Sequence, residues 1–266
     1  MTDILARLRA KAPSTALIIG VFVLWELACI AFGISDIVLP RPSQIVSTLW
    51  DRWPALWPHA YQTLYTTLLG FGWGVMIGVV LGVLIGSSRL AFETAYPLLV
   101  GISSIPKVAV VPIFVLWFGA GTVPVVLTAM IICIFPIVVN VATGIATVEP
   151  ELRDVLRALG ARHVDIIKKV GLPRAMPYFF ASLKISITVA FVGSIIAETV
   201  AANKGIGHLM ILASSRFDVP LVFAGLIVTA VMGVAMYVCA VTLENRTTGW
   251  ATRGQQDQGQ MKFGGA

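Results

Sequence analysis

Charged residues are scarce in this chain of 266 residues: they make up 12% of the sequence, whereas hydrophobic residues make up 58%. Soluble globular domains usually contain about 25% charged residues, so the composition excludes that class and indicates a membrane protein. Only helices and closed barrels satisfy the backbone within a bilayer, and no apolar stretch here alternates as a barrel strand does. We therefore predict an all-α integral membrane protein.

Cysteine is also rare. Cys29, Cys133 and Cys239 lie in apolar segments, and no two of them form a CxxC pair. This spacing argues against a disulfide framework and against a thiolate metal site. We expect no metal and no cofactor of the chain's own.

Basic residues outnumber acidic ones, 19 to 13. A basic chain can bind nucleic acid, but a helical membrane protein carries Lys and Arg on its cytoplasmic loops, and we favour this second explanation. If the N-terminus is inside, the outer loops contain only Arg41, Arg52, Lys204 and Arg216. We therefore predict that both termini are cytoplasmic and that no nucleic acid is bound.

Six apolar stretches approach or exceed the roughly 20 residues that a membrane-spanning helix needs. They cover residues 14–34, 63–85, 94–118, 123–146, 177–200 and 219–243. The predicted organisation has an N-terminal part (1–61: cytoplasmic tail, first span and outer loop), a transmembrane core (62–245) containing a cytoplasmic hairpin (150–174), and a mobile cytoplasmic tail (246–266).

Five glycines in the second span are spaced four residues apart: Gly70, Gly74, Gly78, Gly82 and Gly86. At 3.6 residues per turn they form one stripe of small residues, which lets another helix approach closely. Packing within the same subunit is the favoured interpretation, and a dimer or gating contact is the alternative.

The third span is interrupted by Pro97, Pro106 and Pro112 and carries Lys107. Proline removes a backbone donor and kinks a helix, so we predict a broken span. Lys107 either lines a pathway or gate, or anchors the segment at the cytoplasmic surface. Asn140, in the fourth span, either bonds a neighbouring helix or lines the path.

Glu198 lies at the outer end of the fifth span. Two roles are open for it: orienting an outer gate, or a structural role in which it pairs with Lys204 or caps the following loop.

The densest block of charge runs from Glu151 to Arg174. Its apolar residues Leu152, Val155, Leu156 and Leu159 follow the spacing of an amphipathic helix. Gly160 can end that helix in a left-handed conformation. A second short helix is predicted to reach Val170 and to stop at Gly171 and Pro173. The block is therefore predicted to be a helical hairpin under the bilayer, with a docking surface for a cytoplasmic partner.

This block resembles the signature of the integral membrane permease subunits of binding-protein-dependent ABC importers, which reads EAA, three residues, Gly, nine residues, then I-x-L-P. The spacing is kept, although Asp replaces Glu, Val and Leu replace the two alanines, and Val replaces Ile. The matching positions are Asp154, Val155, Leu156, Gly160, Val170, Leu172 and Pro173. Further segments, such as "FPIVVNVATGIATVEPEL" and "GIGHLM", are similar to the nitrate, sulfonate and taurine branch, and the resemblance covers about residues 39–242.

The resemblance implies a type I (MetI-like) importer permease in a bacterial inner membrane. It implies a homodimer, two cytoplasmic ABC ATPase subunits that bind the ATP, and a periplasmic or lipid-anchored solute-binding protein. The solute would be a small anion such as a sulfonate, taurine or nitrate, or an aromatic acid or vitamin precursor. The ATPase-coupling residues would be Asp154, Val155, Leu156, Leu159, Gly160, Ala161, Val170, Leu172 and Pro173. The candidate path or gate residues are Pro106, Lys107, Asn140 and Glu198.

Two other classes of function fit less well. A secondary transporter driven by an ion gradient would show internal repeats and acidic residues deep in several spans, and neither pattern is present. A membrane enzyme would need a cluster of reactive side chains at one depth, but the three histidines, at positions 59, 163 and 208, fall in three separate predicted loops. The chain has no GxxxxGK[ST] phosphate loop, which agrees with ATP being bound by a separate subunit.

Overall fold

The computed structural model describes residues 2–247, with side chains from residue 16 onward except at position 150. This part of the chain consists of helices and contains no strand, which confirms the all-α prediction. The predicted mobile tail, 246–266, lies almost entirely outside the described residues. The α-helices are α1 (Thr2–Ala31), α2 (Pro42–Asp51), α3 (Trp53–Ser87), α4 (Arg89–Ser103), α5 (Val111–Phe118), α6 (Thr122–Ala146), α7 (Pro150–Ala158), α8 (His163–Ile166), α9 (Leu172–Ala201), α10 (Ile206–Ser215) and α11 (Val219–Thr247).

Four helical stretches within residues 2–247 are long and apolar enough to cross a membrane: α3, α6, the continuous stretch His163–Ala201, and α11. A fifth crossing is formed if α4 and the segment Lys107–Phe118 are taken together. The first predicted span (14–34) corresponds to α1, whose described apolar part, Ala16–Ala31, is shorter than these. By length and composition, the described residues therefore provide four crossings, or five with the bent pair.

The predicted break in the third span is confirmed. α4 and the following segment meet at an angle of 77°, with a 3-10 turn over Lys107–Val110 between α4 and α5. Pro106 stands directly before this turn with an extended backbone (ψ 97°). Its ring has no N–H to continue α4, and it disfavours the helical conformation of the residue before it. The bend therefore follows from the position of this proline.

The glycine stripe of α3 packs against α6, which confirms the interpretation of packing within the subunit. All five glycines are buried. A Cβ added at Gly82 would lie 2.7 Å from Val141 Cβ, and one added at Gly78 would lie 2.9 Å from Ile137 Cβ. The absence of side chains along this face is what lets the two helix backbones approach so closely.

α6 also packs against α9, so it lies between two other spans. A Cβ at Gly144 of α6 would come within 2.8 Å of Ala175 Cα in α9. Deeper in the interface, Ser186 Oγ donates to the backbone oxygen of Cys133 at 3.2 Å. α3, α6 and α9 together form the core of the described residues. The polar clusters described below lie at the two ends of this core.

Charged side chains join two of the outer helices to each other and a third to this core. Glu26 of α1 accepts hydrogen bonds from the backbone N–H (3.0 Å) and the hydroxyl (2.7 Å) of Ser43, at the start of α2. A carboxylate is favourable there, because the first turn of a helix has free N–H groups. Lys184 of α9 pairs with Glu244 of α11 at 2.7 Å, which the sequence patterns did not predict.

Candidate functional site: a cytoplasmic hairpin and a buried outer cluster

The predicted hairpin is present, and its first arm ends as expected. α7 ends at Ala158, and Gly160 follows with φ +83°, a conformation that glycine adopts without strain. The N–H of Gly160 donates to Arg157 O at 2.9 Å, and that of Ala161 donates to Leu156 O at 3.0 Å. These two bonds form a Schellman motif, which satisfies the last carbonyl groups of the helix.

The second arm differs from its prediction. Gly171 and Pro173 do not stop it: the short helix α8 continues through a π turn, Ile167–Gly171, directly into α9. Leu172 N–H donates to Ile167 O, the longer spacing of a π turn. Pro173 directly follows the π turn, where the usual i to i−4 hydrogen-bond pattern is already interrupted, so its missing N–H is tolerated. The second arm is therefore a continuous helical extension of the fifth predicted span.

The predicted coupling residues lie on this hairpin, and several of its apolar side chains face outward. Val155 is 57% exposed and Leu159 is 78% exposed, whereas Val148 and Ile166, near the base, are buried. Asp154, Gly160, Leu172 and Pro173 are exposed; Leu156, Ala161 and Val170 are half-buried. The first arm thus presents a partly apolar surface away from the rest of the chain.

A set of charged contacts at the base of the hairpin was not predicted. Arg174 donates to both carboxylate oxygens of Glu149, at 2.7 and 2.8 Å. Arg153 donates to the backbone oxygens of Ile145 (2.8 Å) and Ala146 (3.4 Å) at the end of α6. The only signal in the sequence was that opposite charges flank the hairpin at its two ends.

The bidentate pair also affects the ionisation of Glu149. The hydrogen bonds from Arg174 lower the pKa of the Glu149 carboxyl below its usual value. A lowered pKa in the folded state means that the pair contributes above the carboxyl's ordinary pKa and is lost only as the pH falls through the lowered value. The pair therefore remains ionised at neutral pH.

Glu198 lies in a buried cluster at the other end of the core. It is 1% exposed, and its Oε2 accepts hydrogen bonds from Thr63 Oγ1 (2.9 Å) and from the backbone N–H of Gly207 (3.0 Å). Gly207 is in the first turn of α10, so the carboxylate caps this helix. Among the described residues Glu198 forms no ion pair with Lys204, and of its two predicted structural roles the capping role is the one supported.

α3 holds the same loop from the opposite side. The N–H of Gly205 donates to His59 Nδ1 at 3.1 Å, and the N–H of Ile206 donates to Thr63 Oγ1 at 2.9 Å. A Cβ at Gly205 would overlap the Glu198 carboxylate, and one at Gly207 would lie 2.9 Å from Glu198 Cβ. His59 therefore lies in α3 rather than in a loop as predicted, and the two glycines provide the space for the buried carboxylate.

The remaining candidate path residues lie in or beside α6. Lys107 Nζ donates to Ser103 O at 2.8 Å, at the end of α4, and lies 5.3 Å from the centre of the Phe135 ring in α6. Lys107, which follows the bend at Pro106, therefore contacts both the end of α4 and the face of α6. Asn140 Nδ2 donates to Pro136 O at 2.8 Å, so the bond that the described residues show for this side chain lies within its own helix.

Comparison with known proteins places these features in context. Residues 74–249 match the family model described as binding-protein-dependent transport system inner membrane component. The riboflavin transport system permease protein of Chloroflexus aurantiacus is 32% identical over 240 residues, covering 90% of this chain and 89% of that protein. A putative aliphatic sulfonates transport permease protein of Escherichia coli is 29% identical, covering 87% of this chain and 89% of that protein.

The fold also matches a solved structure. An inward-facing conformation of the MetNI methionine ABC transporter aligns with a TM-score of 0.65 and 18% identity, over 74% of this chain and 97% of that one. The predicted type I fold is therefore confirmed. The chain belongs to the family of binding-protein-dependent transport system inner membrane components, and it is the permease subunit of an ABC importer.

Proposed function

We propose that two copies of this chain form the solute pathway of an ATP-driven importer, and that a separate ATPase docks on each hairpin. The observation that carries this proposal is the exposed apolar surface of α7, which includes Val155 and Leu159, on a hairpin continuous with α9. Exposed apolar surface of this kind is typical of a protein interface. A partner that moves the hairpin would move α9 with it.

The ATPase would supply the nucleotide chemistry, and a solute-binding protein would deliver solute at the outer face. ATP would be bound by the partner alone, because this chain's sequence has no phosphate loop. The excess of Lys and Arg in the predicted inner loops supports cytoplasmic termini and a location in a bacterial inner membrane. The membrane-spanning helices of the two copies would then alternate between two states, which differ in their contacts with the ATPase and with the solute-binding protein.

The proposed solute is a small anion such as a sulfonate, taurine or nitrate, or an aromatic acid or vitamin precursor. The relatives' names support this range: they include permeases for riboflavin, for aliphatic sulfonates and, in Halalkalibacterium halodurans, for formylaminopyrimidine. The formylaminopyrimidine permease is 30% identical, covering 59% of this chain and 63% of that protein. The binding protein would select the solute before it reaches this chain.

Gly160 provides the test of ATPase docking. No atom lies within 4 Å of a Cβ at this position, so the cost of adding a side chain comes from the backbone conformation and not from a clash at Cβ. Leucine at φ +83° should cost about 1–2 kcal/mol and open the turn between the hairpin arms. We expect Gly160→Leu to reduce ATPase recovery severalfold when the chain is purified from its host in mild detergent, as measured by ATP hydrolysis in the eluate.

Gly160→Asn is the matched control, because asparagine tolerates the left-handed conformation. It should recover as much ATPase as the unmodified chain does. Equal recovery with Gly160→Leu would remove the docking role of the hairpin. A chain that co-purifies with no ATPase and transports solute without ATP would instead support a secondary transporter.

Lys107 provides a test of the path. Replacing it with glutamate removes the bond to Ser103 and the contact with Phe135, which together are worth about 1–2 kcal/mol. We expect Lys107→Glu to assemble normally but to reduce ATP-dependent uptake roughly tenfold. The measurement uses the solute identified by mass spectrometry in the co-purified binding protein. Lys107→Arg, which keeps the charge, is the control, and unchanged uptake by Lys107→Glu would leave Lys107 as an anchor only.

A further inference from the structure

The hairpin is held at its base by three charged residues, Glu149, Arg153 and Arg174, which we call the base clamp. Glu149 follows the end of α6, and Arg174 is the third residue of α9. Their bidentate contact, at 2.7 and 2.8 Å, joins the two points where the hairpin leaves the core. Parallel bonds of this kind fix orientation as well as distance. The clamp therefore closes the hairpin at the level of the core.

Arg153 acts on the first arm in particular. It lies within α7, and its guanidinium reaches back to the carbonyl groups of Ile145 and Ala146 at the end of α6. A cation at the C-terminus of a helix is favourable, because the last carbonyl groups lack partners. This contact sets the direction of α7 relative to α6, across the short connection Thr147–Glu149.

The first arm needs such a connection more than the second. The second arm is helical from His163 into α9, so it is rigid without further contacts. The first arm has no continuous helix to α6, and its apolar residues Val155 and Leu159 are exposed. Without the base clamp, α7 would be joined to α6 only through the non-helical connection Thr147–Glu149.

We propose that the base clamp makes the hairpin a rigid lever, so that movement of the docked ATPase reaches α6 and α9 together. Glu149, Arg153 and Arg174 are thus positioning residues for the coupling step, which rests on the ATPase docking proposed above. Because the side chains of Arg174 and Glu149 are 41% and 53% exposed, the pair adds little to overall stability. Its effect is on coupling rather than on folding.

The experiment measures nucleotide-driven movement at both ends of the lever. Cys239 is the exposed thiol among the described residues, so Cys239→Ser provides the background for labelling. Nitroxide labels are placed singly at Arg162→Cys, on the exposed turn of the hairpin, or at Val123→Cys, an exposed position at the outer end of α6. Pulsed EPR then reports the distance between the two copies in the complex with the co-purified ATPase, before and after addition of Mg-ATP and vanadate.

In the otherwise unmodified complex, both labels should change distance when nucleotide is added. With Glu149→Gln, the change at position 162 should remain, because the second arm and α9 are one helix, and the change at position 123 on α6 should fall by at least half. Arg174→Lys, which keeps the charge but not the bidentate geometry, should have a smaller effect in the same direction. The exchanged pair, Glu149→Arg with Arg174→Glu, should restore the movement at position 123.

Glu93→Gln is the matched control. It breaks the Arg89–Glu93 pair, which has the same 2.7 Å distance but lies within one helix, and it should leave both changes unaltered. An undiminished change at position 123 in Glu149→Gln would overturn the lever, and so would loss of the change at position 162, since the clamp would then serve docking. If the unmodified chain retains no ATPase or shows no change at position 162, the proposed function itself fails.

Discussion

Glu198→Ala is expected to unfold the outer end of the core. The carboxylate accepts hydrogen bonds from Thr63 and from the N–H of Gly207, and it is almost fully buried. Alanine would leave these two donors without this acceptor and would create a cavity beside Gly205. A buried donor without a partner costs about 1–3 kcal/mol, and the cavity adds to that cost. We therefore expect a loss of about 3–5 kcal/mol in the free energy of unfolding, measured by thermal unfolding in detergent.

The control for this prediction is Glu198→Gln. Its amide oxygen can accept the same two hydrogen bonds, and its volume is nearly that of glutamate, so most of the stability should remain. Amide hydrogen exchange should locate the difference: the N–H groups of Ile206 and Gly207 should exchange faster in Glu198→Ala than in Glu198→Gln. If the two variants unfold at the same temperature, hydrogen bonding by Glu198 does not hold α10 in place.

Gly82→Leu is expected to separate α3 from α6. Even a Cβ at this position would lie 2.7 Å from Val141 Cβ and 3.1 Å from the backbone oxygen of Val138, so the two helices would have to move apart. Overpacking costs about 1–3 kcal/mol for a few added carbons, and here the obstacle includes backbone on the longest interface of the core. We expect the variant to give little monodisperse protein in size-exclusion chromatography.

Gly72 provides the matched control on the same helix. It is exposed, and no atom lies within 4 Å of a Cβ at this position. Gly72→Leu adds the same side chain and gains helix propensity, so its yield and thermal stability should match or exceed those of the unmodified chain. Equal behaviour of the two leucine variants would show that the α3–α6 interface can open without loss of the fold.

The sequence was most informative where a local pattern determines a local structure. The spacing of Leu152, Val155 and Leu159 predicted α7, and Gly160 predicted its end, because both depend on residues within one or two turns. Pro106 predicted the bend for the same reason. The glycine stripe predicted a packing face on α3, but its partner, α6, is about 60 residues away, and no periodic pattern specifies which helix fills the groove.

The errors have the same physical origin. Gly171 and Pro173 are usual signals for the end of a helix, but the preceding π turn accommodates the proline, and packing of Ala175 against Gly144 holds the stretch in line. The bond between Glu149 and Arg174 joins residues 25 positions apart, so it depends on how the hairpin folds back. Glu198 was recognised as important, whereas its partner Thr63, and His59, which bonds the backbone of Gly205, are on another span and carried no signal of their own.

Because the helix is continuous from His163 into α9, the number of residues in the second arm determines the direction in which the hairpin faces more than the distance to which it extends. Each residue in an α-helix turns the chain by about 100° and advances it by about 1.5 Å. One residue added or removed between His163 and Leu172 would therefore rotate the docking surface to another side of the molecule, although the hairpin would remain almost equally long. A flexible connection would absorb such a change, but a helical one passes it on, so the nine-residue interval between Gly160 and Val170 fixes the direction in which the hairpin faces.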